Sequence, residues 1–288
     1  MPRVHPLVAA VRAASAVSPR LGGALAIRLF FGTRPRMRVA ARDAAIAADA
    51  RRETLVAEGR RVVVSHWGDD GPLVVLVHGW RGRAAQFAPL VPALRADGYR
   101  VIAFDAPAHG ASQGGRVDVR DWLAVLTELQ RRHGRFRAVV GHSFGGFAVV
   151  AAARHGLETD AVVSIAGAGR PAAFLGEFAR ATGLDPATRD DLGRRFRRRV
   201  GETEETLDDR YDAVAHPLAS EVPLLVVHGD ADRQLPLAES RALAQATPGA
   251  RLVVVREAGH TRVLAALETV DALLQHLELA ARRRAVSS

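Results

Sequence analysis

The sequence contains no cysteine and no lysine. The first absence excludes disulfides, thiolate nucleophiles and thiolate metal sites, and it suits a reducing compartment, so a cytoplasmic location is expected. The second leaves arginine to supply all 40 basic residues against 31 acidic ones, a formal charge of +9. A nucleic-acid binder ordinarily mixes lysine into a stripe or a recognisable motif. Here alanine and glycine are abundant as well, which reads as genome-wide codon bias, and no nucleic-acid partner is expected.

Long apolar runs are also missing. Near the N-terminus, "HPLVAAVRAASAVSPRLGGALAIRLFFG" is interrupted by Arg12, Arg20 and Arg28. No run reaches the roughly 18–20 apolar residues of a spanning helix, and Arg12 spoils the uninterrupted stretch of about 7–15 that a cleaved signal needs. What remains suits two short amphipathic helices, with Leu7, Val8, Val11 and Ser15 on the first, Leu25, Leu29 and Phe30 on the second, and a break near Pro19. Such helices serve either to pack on the domain or close a homo-oligomer, or to make peripheral contact with an anionic membrane surface through residues 6–31.

With 288 residues and 48% hydrophobic content, the chain can bury one sizeable core carrying an insertion. From residue 51 an alternation of elements begins. "RETLVAEG" and "RRVVVSHWG" read as antiparallel strands joined at Gly59, and "PLVVLVHG" is a continuous apolar run, as a strand covered on both faces requires. Helical stretches at about 84–96, 118–132, 144–155, 237–246 and 261–280 then alternate with the runs "YRVIAFDAP", "FRAVVGHS", "DAVVSIAGAG", "VPLLVVHGD" and "ARLVVVREAG". The expected fold is α/β: a mainly parallel eight-stranded sheet with helices on both faces. Residues 1–50 form a helical extension, 51–168 and 222–288 the core, and 169–221 a helical lid inserted before the last two strands.

Gly141-His142-Ser143-Phe144-Gly145 lies between a strand and a helix. That context is the one a nucleophile elbow needs: a turn so tight that small residues must flank the serine at two positions on either side. A serine hydroxyl becomes a nucleophile only when a base takes its proton and an acid holds that base's tautomer. "LLVVHGDADRQLP" ends a strand in an acidic loop holding Asp230 and Asp232, and "LVVVREAGHTRVL" ends another in Gly259-His260. Ser143, one of these aspartates and His260 would reach the same sheet edge, where parallel sheets gather ligands. The developing oxyanion needs fixed donors, and the Phe144 amide, directly after the serine, is one.

The segments "VLVHGW", "FDAPAHGAS", "GHSFGG", "VHGDADRQLP" and "EAGHTRVL", with the order Ser…Asp…His, resemble the α/β-hydrolase superfamily from about residue 51 to 280. The resemblance implies Asp232 as the acid, from the spacing after Gly229, and leaves Asp230 as a loop cap. It also implies the Trp80 amide as the second oxyanion donor, with the Trp80 ring lining the acyl pocket. The dehalogenases and epoxide hydrolases of this superfamily carry an aspartate at the elbow, so Ser143 counts against their chemistry.

Other residues have plainer readings. His78, His109, His142 and His228 lie in separate loops without paired metal-ligand spacing, so no metal and no cofactor are expected. Asp105 reads as a holder of its loop, with service as an alternative acid the lesser option. Phe174 and Phe178, with Leu175, give the inserted segment an apolar underside for substrate, while Phe147 reads as core. "RRFRRR" at 194–199 reads as a solvated helix face balanced by "ETEETLDD". The expected activity is hydrolysis of a small-molecule carboxylic ester or thioester with a small to medium acyl group, through an acyl-enzyme. The same triad also serves carbon–carbon bond hydrolysis and acyl transfer, and a non-catalytic binding protein on this scaffold is the reading from a different class.

Overall fold

The computed structural model describes residues 6–287. They fall into two compact units: the N-terminal residues through Gly32 together with Arg170–Asp212, and Thr33–Gly169 together with the chain from Ala213 onward. Residues 33–50, grouped by sequence with the N-terminal helices, thus belong to the second unit.

The second unit is built on an eight-stranded sheet in the order β1-β2-β4-β3-β5-β6-β7-β8. Its strands are β1 (Arg51–Ala57), β2 (Arg60–Trp67), β3 (Leu73–Val77), β4 (Arg100–Asp105), β5 (Ala138–His142), β6 (Val162–Ile165), β7 (Leu224–Gly229) and β8 (Arg251–Val255). β1 and β2 form a hairpin closed by the pair Ala57–Arg60. Its two turn residues, Glu58 and Gly59, both have left-handed φ values, 45° and 73°, matching the twist of the flanking strands. β2 pairs antiparallel with β4, and every later pairing is parallel. Because β4 lies on one side of β3 and β5 on the other, strand order reverses at β3, and such switch points open a crevice beyond the strand ends.

The unbroken apolar composition of β3 follows from its position. Val75 and Val77 face a core completed by Trp122, Val125, Leu126 and Leu129 of α5 (Val119–His133), by α6 (Phe144–Arg154) and by Leu243 of α10 (Leu237–Ala246). Val74 and Leu76 face the opposite core, against α4 (Val91–Ala96) and against Leu273 and Leu277 of α11 (Leu267–Ser287). Each fully buried aliphatic side chain here contributes about 1.5–3 kcal/mol. The four apolar residues of α5 recur at helical spacing, and the helix starts with a reciprocal Asp118–Asp121 capping box. α3 (Ala44–Asp49) precedes the sheet.

Two helices differ from the sequence expectation. The stretch at 84–96 is a 3-10 turn, Ala84–Phe87, followed by α4, because Pro89 and Pro92 cannot sit inside one continuous helix. The last helix is preceded by a separate 3-10 turn, Arg262–Ala265, since the backbone becomes extended at Ala266.

The first unit contains α1 (Pro6–Val17), α2 (Pro19–Phe30), α7 (Pro171–Thr182), α8 (Pro186–Val200) and α9 (Glu204–Tyr211). Val11, Ala26, Ala179, Leu184 and Leu192 form its core. α2 approaches both neighbours through glycine: a β-carbon on Gly22 would meet Ser15 Oγ at 2.3 Å, and one on Gly23 would meet Asp191 Oδ2 at 2.1 Å. The arginine-rich run of α8 is only partly a solvated face. Arg194 and Arg195 pair with Asp191 of the same helix, Arg197 lies 3.5 Å from Glu204, and the Arg199 guanidinium stands 4.0 Å over the Phe31 ring. Among the described residues, no helix is long and apolar enough to cross a membrane.

Candidate active site

Ser143 sits at the turn from β5 into α6 with φ 58° and ψ −122°, a conformation that costs a non-glycine residue about 1–3 kcal/mol. The flanking glycines are steric necessities. A β-carbon on Gly141 would lie 2.1 Å from the Gly145 carbonyl oxygen, and one on Gly145 would lie 2.0 Å from that of Val77. Gly79 serves the same end from the neighbouring strand, since its β-carbon would fall 2.8 Å from Ser143 Cβ. The loop after β3 is therefore held directly against the serine.

Three residues from three strand ends meet at this turn. His260 Nε2 is 2.9 Å from Ser143 Oγ, and His260 Nδ1 is 2.7 Å from Asp232 Oδ2. With Nδ1–H donating to the carboxylate, Nε2 presents a lone pair to the serine hydroxyl. Burial acts to raise the Asp232 carboxyl, but side-chain hydrogen bonds from His228 and His260 and the charge of His260 outweigh it and hold the group well below the usual carboxylate range. Its Oδ1 also accepts from the amides of Gln234 at 2.7 Å and Leu235 at 3.1 Å. Asp232 is thus an acceptor on every side, as a group that must orient an imidazole should be.

The two other carboxylates are occupied elsewhere. Asp230 accepts from the Glu257 amide at 2.6 Å, tying the loops after β7 and β8. Asp105 accepts from the amides of Ala84 and Ala111, both at 2.7 Å, with the Arg83 guanidinium at 3.8 Å. It holds its loop, and the Ser112 hydroxyl donates to its backbone carbonyl.

The histidines act as buried hydrogen-bonding struts. His78 donates from Nδ1 to the Gly79 carbonyl at 2.7 Å and accepts at Nε2 from the Ala106 amide at 2.8 Å, joining the loops after β3 and β4. Burial lowers it to about 4. His142 donates from Nε2 to the backbone carbonyl of His260 at 2.8 Å and accepts from the Gln86 side-chain amide at 2.9 Å. Burial, followed by the charge of His260, lowers it to about 3, and the two partners set its tautomer. Sequence reading assigns His142 no more than a place in the elbow and misses Gln86. Neither has a local signal, because both act through contacts between distant loops. Among the described residues, no group of three or more potential ligands is arranged for a metal ion.

Around the turn stands an aromatic cluster. The Trp80 ring stacks on Trp122 at 5.6 Å and meets His109 and Phe144 edge-on at 5.3 and 5.2 Å. Trp122 donates from Nε1 to the His78 carbonyl at 3.0 Å, which fixes the strand end that leads to Trp80. Phe144 is the first residue of α6, where amides point out of the helix end. Phe147 is buried, as core. Phe174 and Phe178 lie on α7 in the helical unit, and Phe178 packs edge-on against Phe30 at 5.3 Å.

A mostly parallel sheet with a strained serine beside its switch point, facing a histidine–aspartate pair, defines a class of enzymes rather than one enzyme. The sequence model of the alpha/beta hydrolase family matches residues 74–273, and the chain belongs to that family of hydrolases. It is 28% identical over 230 residues to a monoacylglycerol lipase of Mycolicibacterium smegmatis, covering 64% of this chain and 80% of the lipase. It is 33% identical over 85 residues to a pyrethroid hydrolase of Sphingobium wenxiniae, covering 28% of this chain and only 30% of that protein. The crystal structure of an enol-lactonase from Burkholderia xenovorans shares the fold with a TM-score of 0.58 at 21% identity, covering 80% of this chain and 100% of the other.

Proposed function

We propose that the protein is a serine hydrolase of carboxylic esters with small to medium acyl groups, working through an acyl-enzyme. The observation that carries this reading is the unbroken contact chain Ser143–His260–Asp232, at 2.9 and 2.7 Å. His260 Nε2 takes the Ser143 proton as Oγ attacks the ester carbonyl carbon. The tetrahedral oxyanion is held by the amides of Phe144 and Trp80, and the alcohol leaves with the proton carried by His260. Water, deprotonated by the same nitrogen, then cleaves the acyl–Ser143 bond and releases the acid. Asp232 keeps the imidazole in the tautomer both steps require.

Of the relatives described above, the monoacylglycerol lipase is named for an ester substrate and the enol-lactonase, alike in fold, for a cyclic ester, which supports the same bond. A fluorophosphonate probe tests the reading. Wild-type protein is labelled, Ser143→Ala is not, and the two melt at the same temperature. A panel of 4-nitrophenyl esters of increasing chain length then reads out the acyl preference. Wild type that resists the probe would sink the proposal.

A further inference from the structure

The acid of the triad has a second histidine on it. His228, in β7, is fully buried, and its Nε2 lies 3.1 Å from the Leu235 carbonyl oxygen and 3.3 Å from Asp232 Oδ2. Both neighbours are acceptors, so this nitrogen carries a proton. Its other ring nitrogen, Nδ1, is 2.7 Å from Ser240 Oγ, which in turn is 3.1 Å from the Gly167 carbonyl oxygen. The network therefore holds Nδ1 against Ser240 Oγ, which donates to the Gly167 carbonyl, and points Nε2–H at Asp232.

The geometry points to His228 as a positioning residue for the reaction, oriented by Ser240 and acting on the substrate only through Asp232. The inference rests on the triad reading given above. Oδ2 of Asp232 is the oxygen that receives His260 Nδ1–H at 2.7 Å, while Oδ1 is held by the amides of Gln234 and Leu235. Without His228, Oδ2 would have no tie except the imidazole it has to steer. Rotation of the carboxyl would then carry His260 with it, away from Ser143.

The strut is also anchored to the elbow. Gly167, whose carbonyl accepts from Ser240, packs so closely that a β-carbon there would lie 3.2 Å from both the Ser143 carbonyl oxygen and Gly146 Cα. Serine backbone, Gly167, Ser240, His228, Asp232 and His260 thus close a ring of contacts back onto the serine hydroxyl, all within the sheet-bearing unit. A ring of this kind fixes three loops against one another without any of its supports touching substrate.

Among the titratable groups placed against this ring are His142, which donates to the His260 carbonyl, and Asp232, His228 and His260 themselves, with Arg233 and Glu239 adjoining Asp232 and Ser240 in the chain; Asp230 is engaged by the Glu257 amide. A pH profile therefore reads the effect of His228 on His260. Losing one donor leaves the Asp232 charge less neutralised beside the His260 imidazole. The acidic limb of the activity profile then moves to higher pH. A residue that merely fills space would not move it.

The test measures the second-order rate of fluorophosphonate labelling over about pH 5 to 9 for wild type and three variants, with thermal melts alongside. In His228→Gln an amide N–H can still reach Asp232, whereas in His228→Asn it stops short and serves only Ser240. The glutamine variant is expected to keep the wild-type limb and most of the rate. The asparagine variant is expected to label on the order of ten-fold more slowly, with its acidic limb shifted upward. Ser240→Ala, which releases the ring from its anchor, is expected to lose several-fold in the same direction, and it decides the question if neither His228 variant folds. If wild type labels and the variants match it, or if glutamine and asparagine lose equally with the limb unmoved, His228 does not position the acid. If wild type itself fails to label, the triad reading falls, and this inference falls with it.

Discussion

Replacing Gly145 with alanine tests the steric logic of the elbow with a single methyl group. The new β-carbon would lie 2.0 Å from the Val77 carbonyl oxygen and 2.7 Å from that of His78. Comfortable contact begins near about 3.5 Å, so the shortfall is about 1.5 Å. Neither neighbour can yield cheaply, because Val77 ends a strand whose five residues are all buried and His78, the next residue, is fully buried too. Overpacking of this kind costs typically 1–3 kcal/mol, and a clash with fixed backbone belongs at or above the upper end. At roughly 2–4 °C per kcal/mol for a chain of this size, a loss of about 3 kcal/mol lowers the melting temperature by about 6–12 °C. Labelling suffers separately. Relief of the clash pushes the end of β3 away from α6, and Gly79-Trp80 moves relative to Ser143. A displacement of about 1 Å at a reacting group costs on the order of a hundred-fold in rate. Gly176, inside α7 with nothing near its missing β-carbon, is the control. There alanine is expected to stabilise by about 0.5–1 kcal/mol, as a helix-interior substitution should. Scanning calorimetry with fluorophosphonate labelling reads both effects, and Gly145→Ala protein that melts and labels like wild type would refute the reasoning.

Two further outcomes follow from the same geometry. Asp232→Asn is expected to lower the labelling rate on the order of 10³–10⁴-fold and, by turning an amide N–H2 toward donors, to lower the melting temperature as well, and Asp230→Asn to label within a few-fold of wild type; the reverse ranking of labelling rates would show that the wrong carboxylate carries the triad. Acid should also destabilise the fold early. His78, His109 and His142 are lowered to about 4, about 3 and about 3, in each case first by burial. The unfolded chain protonates these groups near about pH 6.5, ahead of the native state. Stability therefore falls as pH drops below about 6.5 and keeps falling toward the folded-state values, by at most about 1.4 kcal/mol per pH unit per histidine. Equal melting temperatures at about pH 7 and pH 5 would contradict this.

The features legible in the sequence were those set by local chemistry or by one-dimensional pattern. The apolar run of β3 announces a strand covered on both faces, and the helical stretch at about 118–132 announces α5. Gly141 and Gly145 frame Ser143 because the turn leaves no room for side chains, so the motif states its own geometry. The broken helix near Pro89 was legible too, in the proline itself, though the continuous apolar pattern masked it. Asp232 was a weaker inference, since only the resemblance, through its spacing after Gly229, chose it over Asp230, whose partner is the Glu257 amide of another loop.

What amino-acid order determined by itself was the set of buried strands, the sharp turn at Ser143 and the chemical types delivered to one edge of the sheet. Tertiary structure decided everything that depends on two distant segments meeting. It put His142 beneath the His260 carbonyl, gave Asp232 a second histidine anchored by Ser240, and drew the N-terminal helices and Arg170–Asp212 into one unit around Val11, Ala26 and Leu192. The physical reason is common to all three. A hydrogen bond or a helix contact through glycine depends on distances of a few ångströms between residues far apart in the chain, and no local pattern encodes them.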